Sequence, residues 1–141
     1  MESISITEDF TNPSALAFII DTLKAHELDI GVLVNNVGVL GRHWMPFLEL
    51  DAKVAKDIIT VNVLSATMLC HALLPDMVEK GKGAIINIGS MCSNFGPIPY
   101  LATYAATKHY IAAFTQAIAA EYANRYLRLV VYQFILIWKN L

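Results

Sequence analysis

Glycine is scarce in this chain. There are seven in 141 residues, and none falls in a Gly-x-Gly-x-x-Gly cluster after an apolar run. These residues therefore hold no Gly-rich turn able to cradle a pyrophosphate at a helix N-terminus. Gly81 and Gly83 lie near each other, but they precede an apolar run instead of following one. Charge is thin as well: Asp, Glu, Lys and Arg make up 16%, with a net of −2. No run of lysine or arginine builds a basic patch, so nucleic acid is not an expected partner. The two cysteines, Cys70 and Cys92, are too few for a disulfide framework, and a reducing compartment or the reducing face of a membrane is expected. His26, His43, His71 and His109 are scattered without metal-ligand spacing, so no metal site is expected. The apolar tail "LRLVVYQFILIW" is about half the ~20 residues of a membrane helix. The opening "MESISITEDF" has neither the basic start nor the apolar core of a secretory leader.

What is present is apolar. Hydrophobic residues make up 56% of the chain, which predicts one domain over residues 1–141 with a large core and no linker or repeat. "ISIT", Ile4 to Thr7, reads as a short β-branched strand. A helix follows, with Asn12 as N-cap, Pro13 at its first position, and Leu16, Ile19, Ile20 and Leu23 at helical spacing. "IGVLV", Ile30 to Val34, is a continuous apolar run, the pattern of a strand covered on both faces. Asp51 caps a long helical stretch in which Pro75 is expected to cause a kink or a stop. "AIINI", Ala84 to Ile88, reads as another buried strand. Gly89 to Leu101, with Gly96, Pro97 and Pro99, reads as a loop. Tyr104 to about Tyr122 reads as a helix, and Leu129 to Ile137 as a last strand. The alternation βαβαβαβ predicts an α/β fold, a parallel sheet with helices on its faces.

In such sheets ligands bind beyond the carboxyl ends of the strands. The residues there are Glu8, Asp9 and Phe10, then Asn35, Asn36, Val37 and Gly38, then Gly89 and Ser90. All of these types also serve as ordinary turn formers. Tyr104 and Lys108 add chemistry. At i and i+4 they share a helix face. An ammonium near a phenol favours the phenolate, and a phenol so tuned gives or takes a proton near neutral pH. Ser90 can hydrogen-bond the same substrate oxygen, with Ser93 a nearby competitor. Met68, Cys70 and Met91 read as packing. Trp44 and Phe47 read as packing or as residues at the mouth of a pocket.

"LVNNVG", "VNVLS", "AIINIGS" and "YAATK", in this order and at these separations, resemble the short-chain dehydrogenase/reductases. "NNVG", "LLPDMVEKGKGAIINIGS" and "EYA" are similar to one branch. It holds 17β-hydroxysteroid dehydrogenases, very-long-chain 3-oxoacyl-CoA reductases and steroid-dehydrogenase-like proteins. The resemblance implies that Tyr104 is the general acid of carbonyl reduction. It implies that Lys108 tunes Tyr104 and holds the nicotinamide ribose, and that Ser90 polarises the carbonyl. Asn62 would hold a water of the proton relay. Asn35, Asn36 and Gly38 would support the central sheet beside the adenosine, and Asp9 with Phe10 would meet the adenine. The implied cofactor is NADP, with NAD possible, and the implied substrate a steroid or a long-chain 3-oxoacyl group. A homodimer through the long helices is implied too. So is a full-length parent associated with the endoplasmic reticulum membrane, a cytoplasmic one being the alternative.

The family opens with a strand, a TGxxxGxG turn, a helix, a second strand and another helix. Nothing in these residues resembles them. The expected fold is therefore a partial doubly wound, Rossmann-like sheet, lacking the N-terminal βαβα and the C-terminal substrate region. In such a fragment Ile4–Thr7 either moves beside Val32–Val34 or stays unpaired, leaving that strand an apolar edge. Although it carries the catalytic set, the fragment alone is expected to be marginally soluble at best and neither to bind NADP tightly nor to reduce carbonyls. A catalytically inactive fragment or association module of the same fold is the alternative reading.

Overall fold

The structure, a computed structural model, describes residues 3–41, 44–94 and 96–123, and the backbone of 127–132. Among the described residues, four α-helices and three strands follow in chain order: α1 Ala15–Ala25, β1 Val32–Asn35, α2 Ala52–Ile59, α3 Ser65–Lys80, β2 Gly83–Ile88, α4 Ala102–Glu121 and β3 Leu127–Tyr132. The strands lie in the order β1-β2-β3, all parallel. Val32 faces Ala84 across one ladder, and Gly83 faces Leu127 across the other.

Helices α2 and α3 form one rod, joined by a π turn at Thr60–Leu64. Asp51 caps it as expected, its carboxylate accepting from the Lys53 N–H at 2.7 Å. Pro75 does not stop the rod, which runs on to Lys80. Proline removes one ladder bond, and here the packing of Leu74 and Met77 into the core outweighs that loss. The run Ala52–Lys80 is long and apolar enough to cross a membrane by length and composition, although no span was expected. Its buried face, with Cys70, Leu74 and Met77, packs against Ile85 of β2, as a core helix does.

The return from α3 to β2 takes two residues. Gly81 ends the helix at φ 64°, a left-handed cap natural to glycine. At Gly83, φ 157°, a Cβ would stand 2.7–2.9 Å from the side chain of Met77. Helix and strand meet too closely there for any side chain.

Burial alternates along the strands. Leu33, Asn35, Ile85 and Asn87 point toward the helices. On the opposite face, Val32 and Val34 are 57% and 53% exposed. The expectation that β1 is covered on both faces is thus corrected: among the described residues, helices cover one face. Ile4–Thr7 is not a strand. Its β-branched residues favour extended backbone, but a strand exists only by pairing, and this stretch stays unpaired, mostly exposed. Helix α1 starts at Ala15, two residues later than expected. The Asn12 side chain instead closes a turn, accepting from the backbone N–H and hydroxyl of Ser14. The last strand begins at Leu127, earlier than expected, and the expected stretch beyond Tyr132 lies outside the described residues.

Candidate active site

Two strand ends and the start of one helix converge. β1 ends at Asn35, β2 ends at Ile88, and α4 begins at Ala102 after the loop that Ser90 opens. Tyr104 and Lys108 stand one turn apart on α4, the Lys108 ammonium 5.9 Å from the centre of the phenol ring. Tyr104 is half-buried and Lys108 buried. Lys108 Nζ donates to the Ile88 carbonyl at 3.0 Å. Burial holds its pKa below the usual lysine value, partly offset by the nearby Cys92 sulfur.

Gly38 completes this corner. A Cβ there would lie 3.5 Å from Asn62 Oδ1 and 3.6 Å from Lys108 Nζ. With no side chain present, bare backbone sits beside the ammonium and leaves a ligand room to approach.

Asn62 lies inside the π turn and is buried. π turns insert one extra residue into a helix and often mark functional sites. Its Oδ1 accepts from the Val39 N–H at 2.7 Å, and its Nδ2 donates to the Val39 carbonyl at 2.8 Å and to Thr107 Oγ1 at 3.1 Å. Thr107 in turn donates to the Tyr104 carbonyl at 2.7 Å. Asn62 therefore ties the loop after β1 to the turn of α4 that bears Tyr104. Both protons of its amide are committed to protein, which leaves for a water only the remaining capacity of Oδ1.

Ser90 and Ser93 are separated by their hydrogen bonds. Ser93 donates its hydroxyl to the Ser90 carbonyl, so its proton is spent. Ser90 Oγ accepts from the Cys92 N–H at 3.3 Å, which leaves its own proton to give.

The remaining expected residues divide. Asn35 turns inward. One proton of its Nδ2 goes to Asn87 Oδ1 at 2.8 Å, the other toward Cys70 Sγ at 3.4 Å. Asn36 is exposed at the sheet edge. Asp9 is exposed, and its carboxylate accepts from the backbone N–H and hydroxyl of Thr11, each at 2.9 Å. Those bonds pull its pKa below the usual range. Phe10 is half-buried in the same turn. The structure draws Gly38, Asn62, Tyr104 and Lys108 into one cluster. Asp9 makes its hydrogen bonds inside its own turn. Thr107, Val39, Asn87 and Thr115 were not singled out from sequence. Asn87 carried a signal, a polar residue in the middle of a buried strand.

A crevice of about 40 Å³ opens beside Tyr104, lined among others by Leu40, Met45, Phe47, Ile58 and Tyr100. Most of these side chains are apolar. Phe47 is on the lining, as one of its two expected readings had it. Trp44 is 65% exposed and therefore not packed away. Among the described residues no group of three metal-ligating side chains occurs.

The profile of the short chain dehydrogenase family matches residues 1–134. Among curated proteins, the chain is 42% identical over 126 residues to hydroxysteroid dehydrogenase-like protein 1 of Gallus gallus, covering 89% of this chain and 37% of that one. It is 39% identical to the human protein named inactive hydroxysteroid dehydrogenase-like protein 1, at the same coverages. To the very-long-chain 3-oxoacyl-CoA reductase of Bos taurus it is 42% identical, covering 89% of this chain and 40% of that one. Among solved structures, a short-chain dehydrogenase from Sphingobium yanoikuyae in complex with NADPH superposes with a TM-score of 0.81 at 30% identity. That match covers 90% of this chain and 48% of the other. A 4-hydroxyisoleucine dehydrogenase complexed with NADH gives a TM-score of 0.79 at 26% identity, covering 89% and 55%. The chain spans about two fifths of the length of these curated relatives.

Proposed function

Because this chain belongs to the short chain dehydrogenase family, we propose that it carries the proton-delivering half of a nicotinamide-dependent oxidoreductase, interconverting a ketone and an alcohol. The observation that carries this reading is the cluster in which Gly38, Asn62 and Lys108 meet beside Tyr104. When bound, a reduced nicotinamide nucleotide supplies the hydride. Lys108 and the bare backbone at Gly38 would hold its ribose end, with Asn35 and Asn36 supporting the turn and Asp9 with Phe10 on the adenine side. NADP is the proposed form, with NAD as the alternative. Solved relatives in complex with NADPH and with NADH are both similar to this chain.

The residues' own work is to place and supply protons. As negative charge develops on the carbonyl oxygen, the free proton of Ser90 and the phenol of Tyr104 both donate to it. Tyr104 transfers its proton to that oxygen as the C–O double bond becomes single, and the alcohol results. Lys108 stabilises the phenolate left behind. Asn62 holds Val39 and the turn of α4 that bears Tyr104.

The proposed substrate is a steroid or a long-chain 3-oxoacyl group. The likeness to the 3-oxoacyl-CoA reductase supports it. We place the full-length parent at the endoplasmic reticulum membrane. It would pair with a second copy through α3 and α4, where Met68 and Tyr110 are exposed.

A second reading, a non-catalytic association module of the same fold, is favoured by the similarity to the human protein named inactive. The test uses the longer protein that contains this segment. NADPH and NADH titrations come first, then reduction of a steroid ketone and a 3-oxoacyl-CoA, with Tyr104→Phe as control. Turnover abolished by Tyr104→Phe supports the enzyme. Absence of cofactor binding supports the association module.

A further inference from the structure

Side chains join strand β2 and helix α4 at two places. At one, Lys108 Nζ donates to the Ile88 carbonyl at 3.0 Å. At the other, Asn87 Nδ2 donates to Thr115 Oγ1 at 2.7 Å. The two anchors are seven residues apart on α4, about 10 Å along its axis. Asn87 is fully buried and Thr115 is 1% exposed, so their bond lies in a dry interior where an unpaired amide is expensive. The network around it is complete. Asn87 Oδ1 accepts from Asn35, and Thr115 donates its own proton to the Ile111 carbonyl at 2.7 Å. Apolar side chains of similar size would fill the same space, but they would not fix one alignment.

We propose that Asn87 and Thr115 are positioning residues that set the register of α4 on β2, and with it the placement of Tyr104 and Lys108 relative to Ser90. The inference rests on the oxidoreductase reading above. One anchor lets a helix slide and turn, whereas two fix both movements. The two anchors also differ in stiffness. Lys108 holds on through a four-carbon stem that follows a slipping helix until its bond to Ile88 weakens. Asn87 and Thr115 are short, and their bond breaks before the helix has moved far. A slip of about 1 Å at reacting groups costs on the order of 10²-fold in rate.

The experiment uses the longer protein containing this segment, NADPH and a ketone substrate, and the variants Thr115→Val and Thr115→Ser. Thr115→Val keeps the volume and removes the acceptor. It is expected to lower kcat between about tenfold and 10²-fold, with KM for the ketone within about threefold of the parent. Thr115→Ser, which restores the acceptor, is expected within about threefold of the parent kcat. Parent-like kcat in Thr115→Val overturns the proposal, as does an equal loss in both variants. If Thr115→Val does not fold, Thr115→Cys, a weak acceptor of similar size, takes its place under the same criterion. A second readout needs no turnover: the rate at which trinitrobenzenesulfonate modifies Lys108, located by mass spectrometry. Faster modification in Thr115→Val than in parent and Thr115→Ser supports the proposal, and equal rates overturn it. If the parent shows no Tyr104-dependent turnover, the oxidoreductase reading fails while this readout still decides the positioning role.

Discussion

The ammonium of Lys108 is held by the carbonyl of Ile88, the last residue of the strand that delivers Ser90. Burial lowers the pKa of this lysine below its ordinary value of 10.5. In the window between the lowered folded value and 10.5, the unfolded chain binds more protons than the folded one. Stability contributed by this group therefore rises with pH through that window. Thermal unfolding of the parent should show that rise, and Lys108→Met should flatten it. Matching slopes in the two proteins would contradict the assignment.

Tyr104→Phe is expected to reduce ketone turnover by ~10²–10⁴ in the longer protein, with cofactor affinity changed by no more than a few fold. Steady-state kinetics beside a fluorescence titration check this. Near-parental turnover would remove Tyr104 from the role of acid.

Asn62 makes three side-chain bonds, two of them to the backbone of Val39. Asn62→Leu should leave those groups short of partners and destabilise the fold by about 2 kcal/mol or more. Urea denaturation measures the loss, and a shift below about 0.5 kcal/mol would show that water replaces the side chain without cost.

At Gly38 the backbone tolerates a side chain, and a methyl would meet its neighbours at ordinary contact distance. Gly38→Ala should therefore fold with stability within about 0.5 kcal/mol of the parent. It should nevertheless weaken nucleotide binding about tenfold, ~1.4 kcal/mol, because the methyl fills the approach to Lys108. Unchanged affinity would mean that the nucleotide does not pass there.

Val32 and Val34 expose apolar surface on an edge strand of the 141-residue chain. Replacing both by lysine should lower self-association of that chain, read by light scattering, since charge on an edge discourages further pairing. Equal scattering from both chains would place the association surface elsewhere.

The long rod, strand β2 and helix α4 were legible from apolar pattern and cap chemistry, because each carries its own local signal. Ile4–Thr7 was misjudged since its residues favour extended backbone, while the pairing that makes a strand depends on neighbours far along the chain. The exposed face of β1 has the same origin: a run of valines and isoleucines records a tendency to be covered, not the presence of a cover. At the candidate site, Tyr104 and Lys108 were expected from their spacing, and Ser90 and Asn62 from the family resemblance. Thr107, Val39 and Thr115 were not, because their part lies in contacts between elements that spacing does not encode.

The two-residue link from α3 to β2 bears on the order of folding. Gly81 and Gly83 let Met77 settle on β2 almost as soon as both segments exist, with very little loop to close. Strand β1, in contrast, finds its partner Ala84 across the whole intervening rod, with Val32 as its match. Contacts of short sequence separation form early and long ones late. The α3–β2 corner is thus expected to act as the kinetic seed of the sheet, with β1 docking afterwards. A slow folding limb in Gly83→Ala, beside an unchanged one in Val34→Ala, would be its signature in stopped-flow refolding.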